Sequence, residues 1–401
     1  MTAHYLFDWK LMDCVVFVSC YDPSVKKTAV NVRKFLVEKL LLLGLKESEC
    51  TEVTFVIDAG ANMIAALKLA NYQALSRILC AGHLLNRVSK NAVKNMPEEH
   101  QMVNEVLQMS KALVRHIKAT TLQHMLPRKV KQEVDTRWNT VIDMLDSLLS
   151  VYDDIQVLLV ERKEHEMLPE PREFLEQLVE LLRPVKQATE ELSASKTPTL
   201  HLVLPWRKML EGIYSAAGGG DEAPAISALR KMMLRYLREK FVILDIHNIA
   251  TFLNPRMRTL KMLTESEKKA VLARVRALLP VVISDKSTQK VKAGTTSKAS
   301  KFADFEDDLA IDQDNDEVGS YLKTSVPPKS ADEDQGWLLK FWKDKEGELP
   351  RLAKLAKQVL PVPATSTACE RTFSLAGFVI DDRRNSLKPE KLINFRSGSE
   401  W

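Results

Sequence analysis

The amino-acid sequence predicts a mainly helical α/β protein. Strand-like and helix-like stretches alternate as far as about Pro97, which is typical of a mixed α/β layer. From there to about Ser284 the apolar residues recur with the 3.6-residue period of amphipathic helices. A polar stretch follows, and helical spacing returns in "WLLKFWKDKEGELPRLAKLAKQVL". We therefore expect a small mixed layer joined to a large set of helices.

Local sequence patterns predict the secondary structure at the start of the chain. "TAHYL" and "CVVFVSC" are rich in β-branched and aromatic residues, and "FDWKLMD" between them suits the connection of a hairpin. Apolar residues after about Ser24 have helical spacing, and Gly44 stands where a C-terminal cap is expected. The start of the chain is therefore predicted to be a hairpin followed by a helix.

Two further strands lead directly into helices. "EVTFVID" indicates a buried strand that ends in Asp58, and Gly60 precedes the helix "ANMIAALKLAN". "SRILC" indicates a short strand that ends at Cys80, and the next helix begins near His83. Because ligands bind at the carboxyl ends of strands in α/β layers, these strand ends are candidate sites.

Bulk composition excludes some classes of protein. The formal net charge of the 401-residue chain is +5, which permits nucleic-acid binding without arguing for it. No apolar run approaches the length of a membrane span, so we expect no membrane partner. The five cysteines are scattered and odd in number, which favours a reducing compartment, either cytosol or nucleus.

The polar stretch from Ser284 has two halves of opposite charge. "SDKSTQKVKAGTTSKASK" is rich in lysine, and "DFEDDLAIDQDNDEVGS" is acidic. Neither half has enough apolar residues to offset the entropy of ordering, so a solvated tether is the main interpretation. Contact of the basic half with nucleic acid is the alternative.

Two carboxylates are candidates for chemistry, and each also has a structural interpretation. Asp58 could bind a divalent cation or cap the helix that follows it. Glu370 lies three residues after Thr367, the spacing of a capping box. Metal-assisted phosphoryl transfer needs several converging acids. Glu370 is therefore catalytic only if the fold brings it to Asp58 and to a third acid.

Two short motifs indicate a binding function less specifically than these carboxylates do. Cys80 and His83 have the spacing of metal ligands, but a closed zinc site needs four ligands. A structural role at a strand-to-helix junction is the alternative. In "DTRWNT", Trp138 could stack on an unpaired base while Arg137 contacts phosphate. The alternative is a core tryptophan beside an arginine paired with a local acid.

Taken together, seven segments in order along almost the whole chain resemble the hAT family of DNA transposases and the host proteins descended from them. The last segment is similar to the C-terminal dimerisation region of that family. The segments are "MTAHYLFDWKL", "VTFVIDAGANMIAALK", "CAGHLLNRV", "VKQEVDTRWNTVIDMLDSLL", "ELLRPVKQATEELSASKTPTLHLVLP", "DIHNIATFLNPRMRTLKML" and "FWKDKEGELPRLAKLAKQVLPVPATSTACERTFSLAGFVIDDRRNSLKPEKL".

The resemblance implies an incomplete RNase H-like mixed sheet that is interrupted by a large all-α insertion. Residues 1–145 would be the first part of the core, without its first strand, and 146–283 the insertion. A disordered basic and acidic linker would occupy 284–335. Residues 336–401 would be the dimerisation region, which returns to the core. The BED-type zinc finger that the family uses for DNA ends is also expected to be missing, as in an N-terminally truncated relative.

The resemblance also assigns roles to individual residues. Asp58 matches the family's second catalytic acid and Glu370 its third, although Ala59 stands where the family usually has asparagine. Arg137 and Trp138 match a motif placed near the transposon end, with the tryptophan close to a flipped nucleotide. Dimerisation is assigned to the apolar face of the C-terminal segment, namely Trp342, Leu352, Leu355, Val359 and Phe373.

These assignments predict a nuclear protein, derived from a transposase, that self-associates as a homodimer or higher oligomer and binds DNA without cutting it. No cofactor is expected, because the strand carrying the first acid is absent, and Mg²⁺ or Mn²⁺ is expected only if the site is functional. One alternative is a fragment of an active hAT transposase that cuts DNA by two-metal phosphoryl transfer. The other is a helical scaffold with no role at DNA.

Overall fold

The computed structural model describes residues 1–17, 24–42, 44–45, 53–68, 76–134, 138–169, 171–279, 316–326 and 336–379, with the backbone alone for 374–379. The strands are β1 (Thr2–Phe7), β2 (Lys10–Val15), β3 (Phe55–Ile57) and β4 (Arg77–Leu79). The helices that accompany them are α1 (Ala29–Leu41), α2 (Ala61–Leu67), α3 (Ala81–Lys94), α4 (Met102–Ala119) and α5 (Leu122–Met125).

Helices make up nearly all the remaining described structure. They are α6 (Asn139–Leu149), α7 (Tyr152–Glu161), α8 (Arg172–Leu192), α9 (Val203–Ser215), α10 (Pro224–Lys240), α11 (Asp245–Phe252), α12 (Glu265–Leu278), α13 (Glu317–Lys323), α14 (Trp337–Lys345), α15 (Pro350–Val359) and α16 (Thr367–Val379). The expected mainly helical α/β class is confirmed. Within the described residues, no helix is both long and apolar enough to span a membrane.

The strands of the described residues form two separate pairs. β1 and β2 are antiparallel, with Thr2 opposite Val15, and β3 and β4 are parallel, with Ile57 opposite Leu79. The expectation of one mixed sheet is therefore not met in the described part of the chain. Both strand orientations occur, but no hydrogen-bonded ladder joins β1 to β3 there.

The hairpin turn is tighter than the sequence predicted. Asp8 and Trp9 form a two-residue turn, and both have positive φ angles, 44° and 58°. A type I′ turn requires such angles and usually recruits asparagine, aspartate or glycine. Tryptophan is unusual there. The hairpin predicted around "FDWKLMD" is present, but most of that segment belongs to the two strands and only Asp8 and Trp9 form the turn.

Trp9 tolerates this conformation because the C-terminal part of the chain holds it. Its side chain is only 5% exposed, and its indole N–H donates to Glu346 Oε2 over 2.7 Å. The ammonium group of Lys357 lies 4.9 Å from the centre of the indole ring and pairs with Glu346. Burial of the indole together with these contacts offsets the unfavourable φ angle.

Two apolar cores hold the elements in place. The larger one extends through most of the helices from α3 to α15. The smaller one joins α1 and α2 to β3. Its buried members are Leu36, Leu40, Phe55, Ile57 and Leu67. β3 therefore has a core of its own, and the strand end that carries Asp58 is fixed by it.

Helix α13 lies inside the stretch that was predicted to be a linker, so that boundary needs correction. Tyr321 is fully buried, its ring lies 5.2 Å from that of Phe252 and 5.2 Å from that of Trp342, and its hydroxyl donates to the Phe252 carbonyl (3.0 Å). The Glu317 carboxylate accepts from the Arg351 amide (2.9 Å) at the start of α15. The surrounding acidic residues conceal this short apolar helix in the sequence. Residues 284–315 and 327–335 lie outside the described residues.

Candidate functional site

Two neighbouring strand ends bring Asp58 and Cys80 to the same edge. β3 and β4 are parallel and in register from Phe55 to Ile57, so the residues that follow the strands lie side by side. Asp58 and Cys80 follow them directly. The Cys80 amide donates to the Ile57 carbonyl over 2.7 Å. This bond continues the ladder as far as the site.

Asp58 has a local structural role. One of its carboxylate oxygens, Oδ1, accepts from the Gly60 amide over 3.0 Å, and Gly60 is the residue directly before α2. A Cβ atom at Gly60 would lie 2.9 Å from the same oxygen, so the close turn favours glycine. The bond closes a tight turn that leads into α2, and no side chain caps the first turn of that helix.

The C-terminal segment returns to this edge after Pro361 and Pro363, beyond the end of α15. The Ala81 amide donates to the Ala364 carbonyl (2.9 Å), and the Ala364 amide donates to the Thr199 hydroxyl (3.0 Å). Both prolines stand where the sequence predicted the helix to stop. The return places the start of α16 against the start of α3.

Glu370 lies in the first turn of α16 and is directed at His83. The distance from Glu370 Oε1 to His83 Nδ1 is 3.7 Å. The Thr367 hydroxyl, expected to form a capping box with Glu370, instead bonds the hydroxyls of Thr365 (2.9 Å) and Ser193 (3.1 Å). Glu370 therefore contributes to a site assembled from distant segments.

His83 is the centre of this site. Its hydrogen bond with Cys80 raises the pKa of the imidazole, burial opposes this, and the negative charges of Glu370 and Asp58 raise the pKa further. Both carboxylates therefore lie close enough to His83 to stabilise its charged form. Of the two acids, Glu370 is the one that faces the imidazole at 3.7 Å, and the two are 312 residues apart in the sequence.

Cys80 is the fourth member of the site. Burial alone would raise the pKa of its thiol, but hydrogen bonds with His83 and with Ser366 outweigh burial, and the pKa is lowered. The Ser366 amide donates to the sulfur over 3.2 Å. Cys80 thus links the start of α3 to the start of α16.

A cavity of about 430 Å³ opens beside the His83 imidazole. Trp138 lines it, is 8% exposed, and has a buried indole N–H without a hydrogen-bond partner. The Trp138 amide donates to Asn86 on α3 (3.0 Å). Asn139 and Arg371 also line the cavity. The sequence analysis did not select these two polar residues, although each is adjacent in sequence to a residue that it did select.

The other predicted site residues have different outcomes. Arg137 lies outside the described residues. Cys80 and His83 bond each other, and their role as zinc ligands remains a prediction. Across the described ranges, no three histidine, cysteine, aspartate or glutamate side chains converge into a group that could hold a metal ion.

Four of the five predicted dimerisation residues are buried within the single chain. Trp342 and Leu352 are 0% exposed, and Leu355 and Val359 are almost as buried. Phe373 on α16 is 54% exposed. The four buried side chains stabilise the protomer, so a contact between copies would start from Phe373 rather than from them.

The described chain is thus a mainly helical α/β protein whose C-terminal segment completes a site at a strand edge. Residues 317–393 match the model of the hAT family C-terminal dimerisation region. This match starts at α13, in agreement with the corrected boundary.

The chain is related to hAT transposases and to zinc-finger proteins. It is 23% identical to the transposable element Hobo transposase of Drosophila melanogaster, covering 93% of this chain and 62% of that protein. It is 24% identical to the putative AC transposase of Zea mays, covering 93% and 50%, and 27% identical to zinc finger protein 618 of Mus musculus, covering 64% and 26%. The chain therefore spans only part of the length of these relatives.

The assembled site makes a prediction about the titration of His83. Glu370→Gln and Asp58→Asn should each lower the pKa of His83, because each removes a negative charge that stabilises the imidazolium. The measurement is an NMR titration of the His83 ring in the intact chain. Glu98→Gln, beyond the other end of α3, is the control and should leave that titration unchanged. An unchanged titration in Glu370→Gln would mean that α16 does not lie beside His83.

Proposed function

We propose that this relative of the hAT transposases is a nuclear DNA-binding protein that self-associates and does not cut DNA. The observation that carries the proposal is the site around His83. There α16, which belongs to the matched dimerisation region, meets a cavity lined by Trp138. A site and a self-association region that share one helix are suited to binding DNA as an oligomer.

The cavity supports the DNA-binding part of the proposal. The unpaired indole N–H of Trp138 offers a hydrogen-bond donor that has no acceptor in the protein, and buried donors usually have one. The Arg371 guanidinium donates to the Ser193 carbonyl (3.0 Å) at the same cavity. A ring donor beside a cation suits a nucleobase with its phosphate, as in enzymes that bind an extruded base.

The contacts of the two acids support binding without cleavage. Asp58 accepts a backbone hydrogen bond, and Glu370 faces a histidine whose charged form is favoured. Two-metal phosphoryl transfer needs carboxylates that converge on cations. Within the described residues, Asp58 bonds the Gly60 amide, Glu370 faces His83, and no group of acids converges on a cation position.

An active transposase is the second candidate, and one observation favours it. The negative charges of Asp58 and Glu370, which match the second and third acids of the family, both raise the pKa of His83. If a longer protein supplied another acid, two-metal cleavage with Mg²⁺ or Mn²⁺ would be the expected chemistry.

A cleavage assay separates the two candidates. The intact chain, mixed with Mg²⁺ or Mn²⁺ and a duplex that ends in an unpaired strand, should bind the DNA and leave both strands whole. Binding is measured by fluorescence anisotropy, and strand integrity on a denaturing gel. Cleavage that disappears in both Asp58→Ala and Glu370→Ala would establish the active alternative. Failure of the chain to bind the duplex would contradict the DNA-binding role.

Self-association should depend on the exposed aromatic side chain of α16. Phe373→Glu places a charge in the proposed interface and should weaken the oligomer by about 2 kcal/mol, on the order of thirty-fold in the dissociation constant. Sedimentation equilibrium measures this constant. Val157→Glu is a matched control, because Val157 on α7 is 59% exposed. Equal effects of the two substitutions would rule out α16 as the interface.

A further inference from the structure

Three exposed cations lie close together in the chain just after α5. Arg128, Lys129 and Lys131 are all exposed, whereas Val130 between them is buried. The exposed surface of residues 128–131 therefore consists of cationic side chains, and we call this stretch the basic segment. None of its three cationic side chains has a hydrogen-bond or ion-pair partner among the described residues.

Hydrogen bonds hold the chain that follows the basic segment along α6. The Lys131 amide donates to the Ser147 hydroxyl (2.8 Å), and the Val134 amide donates to the Thr140 hydroxyl (2.8 Å). Thr140 and Ser147 are seven residues apart, which is about 10 Å along the helix. Three residues of chain reach about that far only when they are nearly extended. The chain from Lys131 to Val134 therefore runs antiparallel to α6.

This course leads from the basic segment to the cavity at His83. Thr140 lines that cavity together with Trp138, and its hydroxyl also donates to the Val134 carbonyl (3.2 Å). Lys131 is bonded about 10 Å further along α6. A strand of DNA that leaves the cavity along α6 therefore meets the basic segment.

The acids of α6 are paired with cations of another helix. Asp143 pairs with Lys186 and Asp146 pairs with Arg183, and both of these cations lie on α8. The sequence of α6, "NTVIDMLDSLL", contains no other acid. The contacts of α6 with the chain around the basic segment are made by hydroxyl groups, which are neutral.

Neither α4 nor α5 brings an unpaired acid to the basic segment. Glu133 pairs with Lys111 on α4 (2.8 Å). The single acid of α4, Glu105, lies in its first turn, about 9 Å further along the helix and away from α5. The sequence of α5, "LQHM", has no acid. Asp135 and Arg137, which follow in the sequence, lie outside the described residues and have opposite formal charges.

We propose that the basic segment binds the phosphate backbone of DNA beside the cavity at His83 and Trp138. This inference rests on the proposed DNA-binding function and identifies a surface that contacts phosphate. The chain from residue 128 to residue 131 spans at most about 10 Å. Phosphates of one strand are spaced about 3.4 Å along the duplex axis, so about three of them fit along this length.

The composition of the basic segment favours a nucleic-acid backbone over a membrane surface. Segments that bind to membrane surfaces place apolar side chains beside their cations, whereas Val130 is buried. The segment also has no aromatic side chain on which a base could stack. Cations alone suit phosphates, and contacts with phosphate do not read the base sequence.

The test is the salt dependence of binding to a DNA duplex of arbitrary sequence that ends in an unpaired strand. The triple variant Arg128→Gln, Lys129→Gln, Lys131→Gln should lower the magnitude of the slope of log K against log salt concentration by about 2.7. Each phosphate contact with duplex DNA contributes about 0.9 to this slope. Fluorescence anisotropy measures K at each salt concentration.

A matched control removes three charges elsewhere. Lys261 between α11 and α12, Lys340 on α14 and Lys354 on α15 are exposed, and their side chains have no recorded partner in the described part of the chain. The triple variant Lys261→Gln, Lys340→Gln, Lys354→Gln lowers the net charge by the same amount and should keep the wild-type slope. Thermal unfolding checks that both variants fold.

Each outcome decides a different claim. A folded variant of the basic segment with the wild-type slope would overturn this assignment and leave the proposed DNA-binding function intact. The same conclusion would follow if the control lost as much slope. Tighter binding to an RNA duplex or to phosphatidylserine vesicles than to DNA, at the same salt concentration, would overturn DNA as the ligand of this segment. Absence of salt-dependent DNA binding by the wild-type chain would overturn both the segment's role and the proposed function.

Discussion

The backbone of Ala364 is the point at which distant parts of the chain are joined. Its carbonyl accepts from the Ala81 amide at the start of α3, and its amide donates to the Thr199 hydroxyl in the helical region. Ala364 is itself buried, so both bonds are shielded from water, and an unpaired group there would be costly. The direction of α16, and hence the position of Glu370, follows from this short stretch of backbone.

The C-terminal region therefore has two roles in the structure. Its inward side completes the protomer, since Trp342 fills the core and donates from its indole N–H to the Leu253 carbonyl (2.9 Å). Trp9 in the hairpin depends on the same region through Glu346. Among the predicted dimerisation residues, all of which have described side chains, Phe373 on α16 is the one that is exposed. A region that matches a dimerisation domain is thus first a part of the fold of a single chain.

Features with local causes could be predicted from the sequence, and features with distant partners could not. The strand that ends in Asp58 and the helix stop at Pro361 depend on neighbouring residues alone. The turn at Trp9 and the helix around Tyr321 are stabilised by partners hundreds or tens of residues away. Nothing near Glu370 in the sequence points to His83, and only the resemblance to a family linked the C-terminal acid to the strand edge.

A single substitution tests most directly whether the two ends of the chain meet at this site. The Thr2 hydroxyl of β1 lies 3.2 Å from the sulfur of Cys369 on α16, so Thr2→Cys should form a disulfide with Cys369 within one chain under mild oxidation. Peptide mapping by mass spectrometry identifies the bond. Ala3→Cys, on the opposite face of the strand, should leave Cys369 free. A Thr2→Cys chain that keeps both thiols, or that links only to other chains, would contradict the account.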